Sequence, residues 1–527
     1  MVDLINQIIT HRANLTPDSK ALCFKDAVFN YQKLEAHIQK TTNGLMSLGL
    51  MPGDRVGIYL PKLPETVFSV FGTSNAGGVF VPINPLLKPH QVAYILKDCN
   101  VRVLITSNQR LKSLVDVLSE CPDLRAAVVV EDSVQELELK KGIQSIDWQE
   151  FSGQSDVSGH ARIDADIVAI LYTSGSTGNP KGVVLSHRNM VAGAKSVAGY
   201  LGNTAEDRLL AVLPFSFDYG LSQLTTAFLV GASVTLMDYL LPRDILRALE
   251  NGAITGLAAV PPIWNQLVQL EWPEGISEHL RYITNSGGAM PVAITNRFRE
   301  ILPKTDIFLM YGLTEAFRST YLPPDQVTIR PESIGKAIPN AEILVVREDG
   351  TECEPGEPGE LVHRGVLVGM GYWNDPVKTA ERFKPCPVRV AGLPLPEMAV
   401  WSGDQVKKDG DGYLYFISRK DEMIKTSGYR VSPTEVEEVF YGYKGITEVA
   451  ALGLMHPELG QAILLIVRAN EGPDLQEMFK FARKELPSFM VPHDIVLVDQ
   501  ELPRNQNGKI DRKTLAKNYA NHFSPGK

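Results

Sequence analysis

Ile170-Leu-Tyr-Thr-Ser-Gly-Ser-Thr-Gly-Asn-Pro-Lys-Gly182 runs an apolar strand into a loop of hydroxyls and glycines, and Val-Val-Leu follows it. Such a loop turns backbone N–H groups and side-chain hydroxyls toward a polyphosphate, which predicts a chain that handles ATP. A Walker loop would place glycine directly before its lysine and Ser or Thr directly after it. Here Pro180 precedes Lys181 and Gly182 follows, so the phosphate loop is of another kind. A flexible Ser/Gly linker seldom lies between two apolar runs.

The strand at 167–172 belongs to a series. Arg55-Val-Gly-Ile-Tyr-Leu, Val79-Phe-Val-Pro, Val101–Thr106, Ala126–Val130, Arg208–Leu213 and Ser233–Met237 are short apolar runs alternating with helical patterns such as Glu65–Ala76. This alternation predicts an α/β fold of βαβ units on largely parallel sheets. From Ser333 the texture changes to short strands broken by Gly, Pro and Asp, among them 341–346, 359–363 and 412–417, which predicts a β-rich subdomain over about 333–418. The proline-bearing stretch Lys384–Val400 reads as a loop. The charged turn Ser418-Arg-Lys-Asp-Glu422 marks a boundary between a large domain, 1–418, and a small α+β C-terminal domain, 422–527. That last stretch holds a helix over Glu435–Tyr443 and a tight hairpin turn at Asn507-Gly508.

The chain has 527 residues, 44% of them hydrophobic, enough for a large core and more than one domain. A net charge of -9 and the lack of a Lys/Arg block argue against a nucleic-acid surface. The first residues carry no basic n-region, and Val67–Pro82 is too interrupted to span a bilayer, so a cytoplasmic protein with no membrane partner is expected. The five cysteines are scattered without metal spacing and read as reduced thiols.

Further motifs follow the loop in order: Asn285-Ser-Gly-Gly-Ala-Met290, Met310-Tyr-Gly-Leu-Thr-Glu315, Trp401-Ser-Gly-Asp404 with Arg419 downstream, Met423-Ile-Lys-Thr-Ser-Gly-Tyr-Arg-Val431, and Pro503–Arg512 around Lys509. Together with the loop they resemble the adenylate-forming superfamily, which comprises acyl-CoA synthetases, adenylation domains of peptide synthetases and luciferases. The resemblance covers essentially the whole chain. It implies that Thr173, Ser174, Gly175, Ser176, Thr177, Gly178 and Lys181 hold the phosphates of ATP, and that Gly287, Gly288 and Ala289 lie against adenine with Tyr311 stacked on it. It further implies that Thr314 contacts the α-phosphate, Glu315 helps hold Mg²⁺, and Asp404 and Arg419 bind the ribose. Lys509 is implied as the adenylation lysine. Lys425 is implied to face the site after the C-terminal domain turns about Asp421, with Gly428 lining a pantetheine channel. Ser418 stands where the family usually has glycine before the arginine.

Leu213-Pro-Phe-Ser-Phe-Asp-Tyr-Gly220 bears on the acid. Phe217 stands where acyl-CoA synthetases usually carry His, and Asp218 where peptide-synthetase domains place an aspartate that meets the substrate's α-ammonium. A carboxylate in an apolar pocket needs a cation, so an amino acid is the natural complement. Tyr219, Asn285, Met310, Gly312, Phe317 and Arg318 are expected to line the rest of the pocket. The wording also resembles AMP-forming ligases associated with exosortase systems and freestanding enzymes that load an amino acid such as proline onto a carrier protein. The expected reaction is AMP-forming acid–thiol ligation, with the phosphopantetheine of a carrier protein in trans as acceptor and free coenzyme A as the alternative. A non-catalytic nucleotide-binding homologue would be expected to lose Lys509 or Glu315, and both are present.

Overall fold

The computed structural model describes residues 2–131, 139, 142–153, 156–173, 180–388, 391–419, 422–426, 429–456, 459–470, 472–486, 488–505 and 508–523. Its architecture is mixed α/β, with a large N-terminal sheet-rich domain and a smaller C-terminal one.

Two sheets among the described residues build the large domain. The seven-stranded one runs in the order 144–147, 126–129, 101–106, 55–59, 79–82, 167–173, 181–186, and is parallel except for its last pair. Its inner strands Arg55–Tyr59, Val101–Thr106 and Ala126–Val129 are buried on both faces, which is why they read as nearly unbroken apolar runs. In the second, fourteen-stranded sheet, Arg208–Ala211, Gly256–Ala259, Tyr282–Asn285 and Asp306–Tyr311 lie side by side in parallel. Antiparallel pairing from Thr320–Leu322 onward then joins the β-rich region to the same sheet. A five-stranded sheet with the helices Pro433–Tyr441 and Leu475–Glu485 forms the C-terminal part around its own core.

Helix ends follow their residues. Pro64–Ala76 opens on proline and stops at Gly77, whose φ of 84° suits glycine. His187–Leu201 starts from Ser186, whose hydroxyl accepts from Asn189 N–H. Several expected strands are trimmed at an end: 208–213 stops at Ala211, for example, and 412–417 begins only at Leu414. The stretch 384–400, expected as a loop throughout, has paired ends instead. Phe383–Pro385 lies antiparallel to Met398–Lys408, with Lys384 opposite Ala399.

Candidate active site

The ends of the expected phosphate loop lie on an antiparallel pair: Thr173 ends one strand, and Lys181, its cross-strand partner, begins the next. Ser174, Gly175, Ser176, Thr177 and Gly178 lie outside the described residues. A segment 190 residues downstream is laid against this hairpin: Trp373 N–H donates to Gly182 O at 2.8 Å, and Tyr372 bridges to Val183. The Tyr372 ring lies 5.2 Å from Lys181 Nζ, and its hydroxyl donates to Glu315 Oε1 at 2.6 Å. Burial lowers the Lys181 ammonium pKa, Lys378 and Arg382 add repulsion, and Glu315 and Asp375 oppose the shift. Tyr372 was not legible as a site residue, since it shares no local spacing with either partner.

Glu315 tests the expected Mg²⁺. No group of three or more His, Cys, Asp or Glu side chains able to hold a metal occurs among the described residues. Mg²⁺ on nucleotide phosphates takes one or two carboxylates and completes its shell with phosphate oxygens and water, and the lone half-buried Glu315 fits that pattern.

The parallel strands Gly256–Ala259, Tyr282–Asn285 and Asp306–Tyr311 deliver their carboxyl ends to one edge, where open α/β sheets bind ligands. Asn285 opens the turn to Met290, its amide donating to Gly288 O at 2.9 Å. Gly287 has φ +81°, and a Cβ there would meet Val260, Phe217 and, at 3.8 Å, Lys509 Cε. Gly288 and Ala289 are exposed beside it. The hairpin that brings Lys509 here closes through a bridge between Arg504 and Ile510 and through Asn505 N–H to Lys509 O at 2.8 Å. Asn507 lies outside the described residues.

Cross-strand register brings together the two residues expected at the ribose. Asp404 in Met398–Lys408 stands opposite Arg419 in Leu414–Arg419, with Arg419 Nε 3.6 Å from its Oδ1. The Tyr311 hydroxyl donates to Asp404 Oδ2 at 2.5 Å. Burial raises the Asp404 carboxyl pKa, and Arg419, Tyr311 and Lys509 oppose the shift. The Lys509 ammonium is pulled down by the protein around it and by Arg419, while Asp404, Asp218 and Glu422 hold it up. The side chain is nonetheless exposed to solvent.

Asp218 begins the helix Asp218–Val230, and its surroundings change the expectation made for it. It is 4% exposed and already has a cation: Arg318 Nη1 lies 3.0 Å from Oδ2. The Thr314 hydroxyl approaches Oδ1 at 3.4 Å. Burial raises the Asp218 carboxyl pKa, against Arg318, Lys509 and Thr314.

Of the other expected pocket residues, Tyr219, Met310 and Arg318 line a cavity beside this pair. Tyr219 is fixed by a 2.5 Å hydrogen bond to Thr284 Oγ1, and Phe217 stands edge-on to it. Gly312 packs under Arg318 Cα. Phe317 departs from expectation. It has φ +56°, is fully buried, and turns its ring into the core, where a Cβ on Gly193 would come within 2.4 Å of Cδ1. The backbone of Lys425 lies in the strand Ile424–Thr426, but its side chain, Asp421 and Gly428 lie outside the described residues.

Reasoning on the sequence missed Gln223, Ser222 and Thr226. With Tyr219 they recur at i, i+3, i+4 and i+7 on the buried helix, a polar stripe that the spacing itself could have shown.

The AMP-binding enzyme family matches residues 9–373, and the AMP-binding enzyme C-terminal domain matches residues 435–509. Gramicidin S synthase 2 of Brevibacillus brevis is 29% identical over 97% of the chain, which spans only 11% of that protein. The long-chain-fatty-acid–CoA ligase of Bacillus subtilis (strain 168) is 28% identical, with 97% of this chain and 94% of the ligase covered. The structure of o-succinylbenzoate coenzyme A synthetase from Bacillus subtilis, in complex with ATP and magnesium ion, superimposes with a TM-score of 0.82 at 25% identity, covering 96% of this chain and 98% of that one. The hairpin at Thr173 and Lys181, the Asp404–Arg419 pair and Lys509 over Gly287 thus sit on a matching family framework, and the chain belongs to the AMP-binding enzyme family of adenylate-forming ligases.

Proposed function

We propose that this chain joins a short carboxylic acid, with no net charge on its tail, to a pantetheine thiol through an acyl adenylate. The position of Lys509 carries the reading: its stem lies over Gly287, and its ammonium feels both Asp404 at the ribose end and Asp218 at the acid end. In the first step a carboxylate oxygen bonds to the α-phosphorus of ATP, the bond to the bridging oxygen breaks, and pyrophosphate leaves with that electron pair. Lys509 orients the carboxylate and meets the developing charge, while Thr314 contacts the α-phosphate. Bound Mg²⁺ would sit on Glu315 and neutralise phosphate charge. Lys181 serves the departing end. In the second step the thiol sulfur, having lost its proton, bonds to the acyl carbon and AMP leaves. Lys425 and Gly428 serve this step once the C-terminal domain has turned about Asp421.

The tail follows from charge. Asp218 and Arg318 cancel, so an ammonium or a second carboxylate arriving there would be the uncompensated charge. That favours a non-amino acid and coenzyme A as acceptor. Amino-acid loading of a separate carrier protein is the second reading. Asp218 at the start of its helix, opposite Lys509, and the peptide-synthase relatives favour it. ATP–pyrophosphate exchange over paired amino acids and their des-amino analogues decides the matter. Exchange with the des-amino member of each pair is expected; exchange confined to amino acids would select the second reading, and exchange with no acid would remove both.

A further inference from the structure

Beside the Asp218–Arg318 pair a cavity of about 30 Å³ is lined by Tyr219, Ser222, Gln223 and Thr226 from one face of the helix, with Met310 and Arg318 among the residues opposite. Two of these residues carry unmet hydrogen-bonding atoms. Gln223 is 6% exposed, and its amide nitrogen makes a long contact of 3.4 Å to Leu210 O. That contact fixes the amide's orientation, because the opposite flip would set oxygen against oxygen. Its Oε1 then has no partner among the described residues. Arg318 is 3% exposed; Nη1 serves Asp218 Oδ2 and Phe317 O, and its Nε has no partner among the described residues. Two residues that line this one small cavity thus each carry an unmet atom, an acceptor on Gln223 and a donor on Arg318. Native interiors seldom leave such atoms unmet, and a site with unpaired polar groups discriminates strongly for the ligand that pairs them.

We propose that the acid's short tail bears a hydroxyl, which donates to Gln223 Oε1 and accepts from Arg318 Nε, making Gln223 the residue that sets specificity. This rests on the ligase reading above and narrows its substrate to short hydroxylated acids. It is independent of whether an α-amine is present. It also separates this chain from ligases of long alkyl acids, whose tails could neither fit the space nor meet either atom.

The test is pyrophosphate exchange with isosteric pairs in which a methyl replaces the hydroxyl: 3-hydroxybutyrate against 3-methylbutyrate, 4-hydroxybutyrate against pentanoate, and threonine against valine. In at least one pair the hydroxyl member should have about 10- to 100-fold higher kcat/KM. Gln223→Met, similar in volume and without the acceptor, should abolish or reverse that preference, with its folding checked by thermal melting. If Gln223→Met does not fold, the wild-type preference within pairs still decides. Equal or better exchange with the methyl member in every pair would mean that water fills the cavity, and would overturn the tail assignment while leaving the ligase reading intact. A hydroxyl preference that survives in folded Gln223→Met would overturn the role of Gln223. Exchange with no acid of any class would bring down the ligase reading, and this inference with it.

Discussion

Glu438 Oε1 accepts a hydrogen bond from the backbone N–H of Val292 at 2.7 Å, so a side chain of the C-terminal helix Pro433–Tyr441 caps the start of Val292–Ile301 in the large domain. The residue at that helix's own cap position, Pro291, makes no side-chain cap. The contact exists in the arrangement that holds Lys509 in the cleft. Glu438→Ala should therefore weaken that arrangement by about 1 kcal/mol, the worth of a helix cap, and lower pyrophosphate exchange about fivefold. Thioester formation from supplied acyl adenylate should be unchanged or faster. Assaying both half-reactions checks this, and equal losses in both would sink it.

Lys509→Ala should reduce exchange by about 10²-fold or more, roughly 3 kcal/mol of transition-state stabilisation. Its melting temperature should stay close to wild type, since the side chain stands in solvent. Lys425→Ala should do the converse, sparing exchange and slowing thioester formation. Paired assays on both variants test the division of labour.

Asp218 and Arg318 should behave as a unit. Asp218→Ala leaves a guanidinium buried without its counter-ion and should destabilise the fold by about 3–5 kcal/mol in denaturant unfolding. Asp218→Ala with Arg318→Met should recover most of that loss. Near-neutral stability of the single variant would mean that Asp218 is held ready for a substrate cation instead.

Acid should destabilise the large domain through His187. Its ring is buried, accepts from Ile5 N–H at 3.2 Å, and has a pKa lowered to about 4 by burial and Arg162, against Asp166 and Asp164. The unfolded chain takes up the proton near its ordinary value of about 6.5. Stability from the neutral ring is therefore complete above about 6.5 and is lost as pH falls toward 4, by up to about 3 kcal/mol. Melting temperature against pH should fall less steeply in His187→Gln; an identical slope would clear His187 of the effect.

Much of the fold was legible in the sequence because buried parallel strands read as apolar runs. What escaped was pairing over distance. Asp218 plainly needed a cation, but Arg318 lies 100 residues away, and spacing alone could not choose it over a substrate amine. Tyr372 reaches Glu315 across 57 residues. Phe317 was expected in the pocket, yet its ring is fully buried against Gly193, while Arg318 turns to Asp218. Gln223 is the exception, since its stripe was present in the helical period.

In the proposed reaction Asp404 and Arg419 hold the ribose, on strands apart from the Lys181–Tyr372–Glu315 corner that would meet the outer phosphates. ATP, acyl adenylate and AMP all carry the same ribose, so that grip is blind to how far the reaction has gone. Only the corner loses its occupant when pyrophosphate departs. The progress of catalysis is therefore recorded at the phosphate end alone. On that proposal, a ligand keeping the ribose while lacking the outer phosphates would dock as an intermediate does, and stable acyl-adenosine mimics should inhibit.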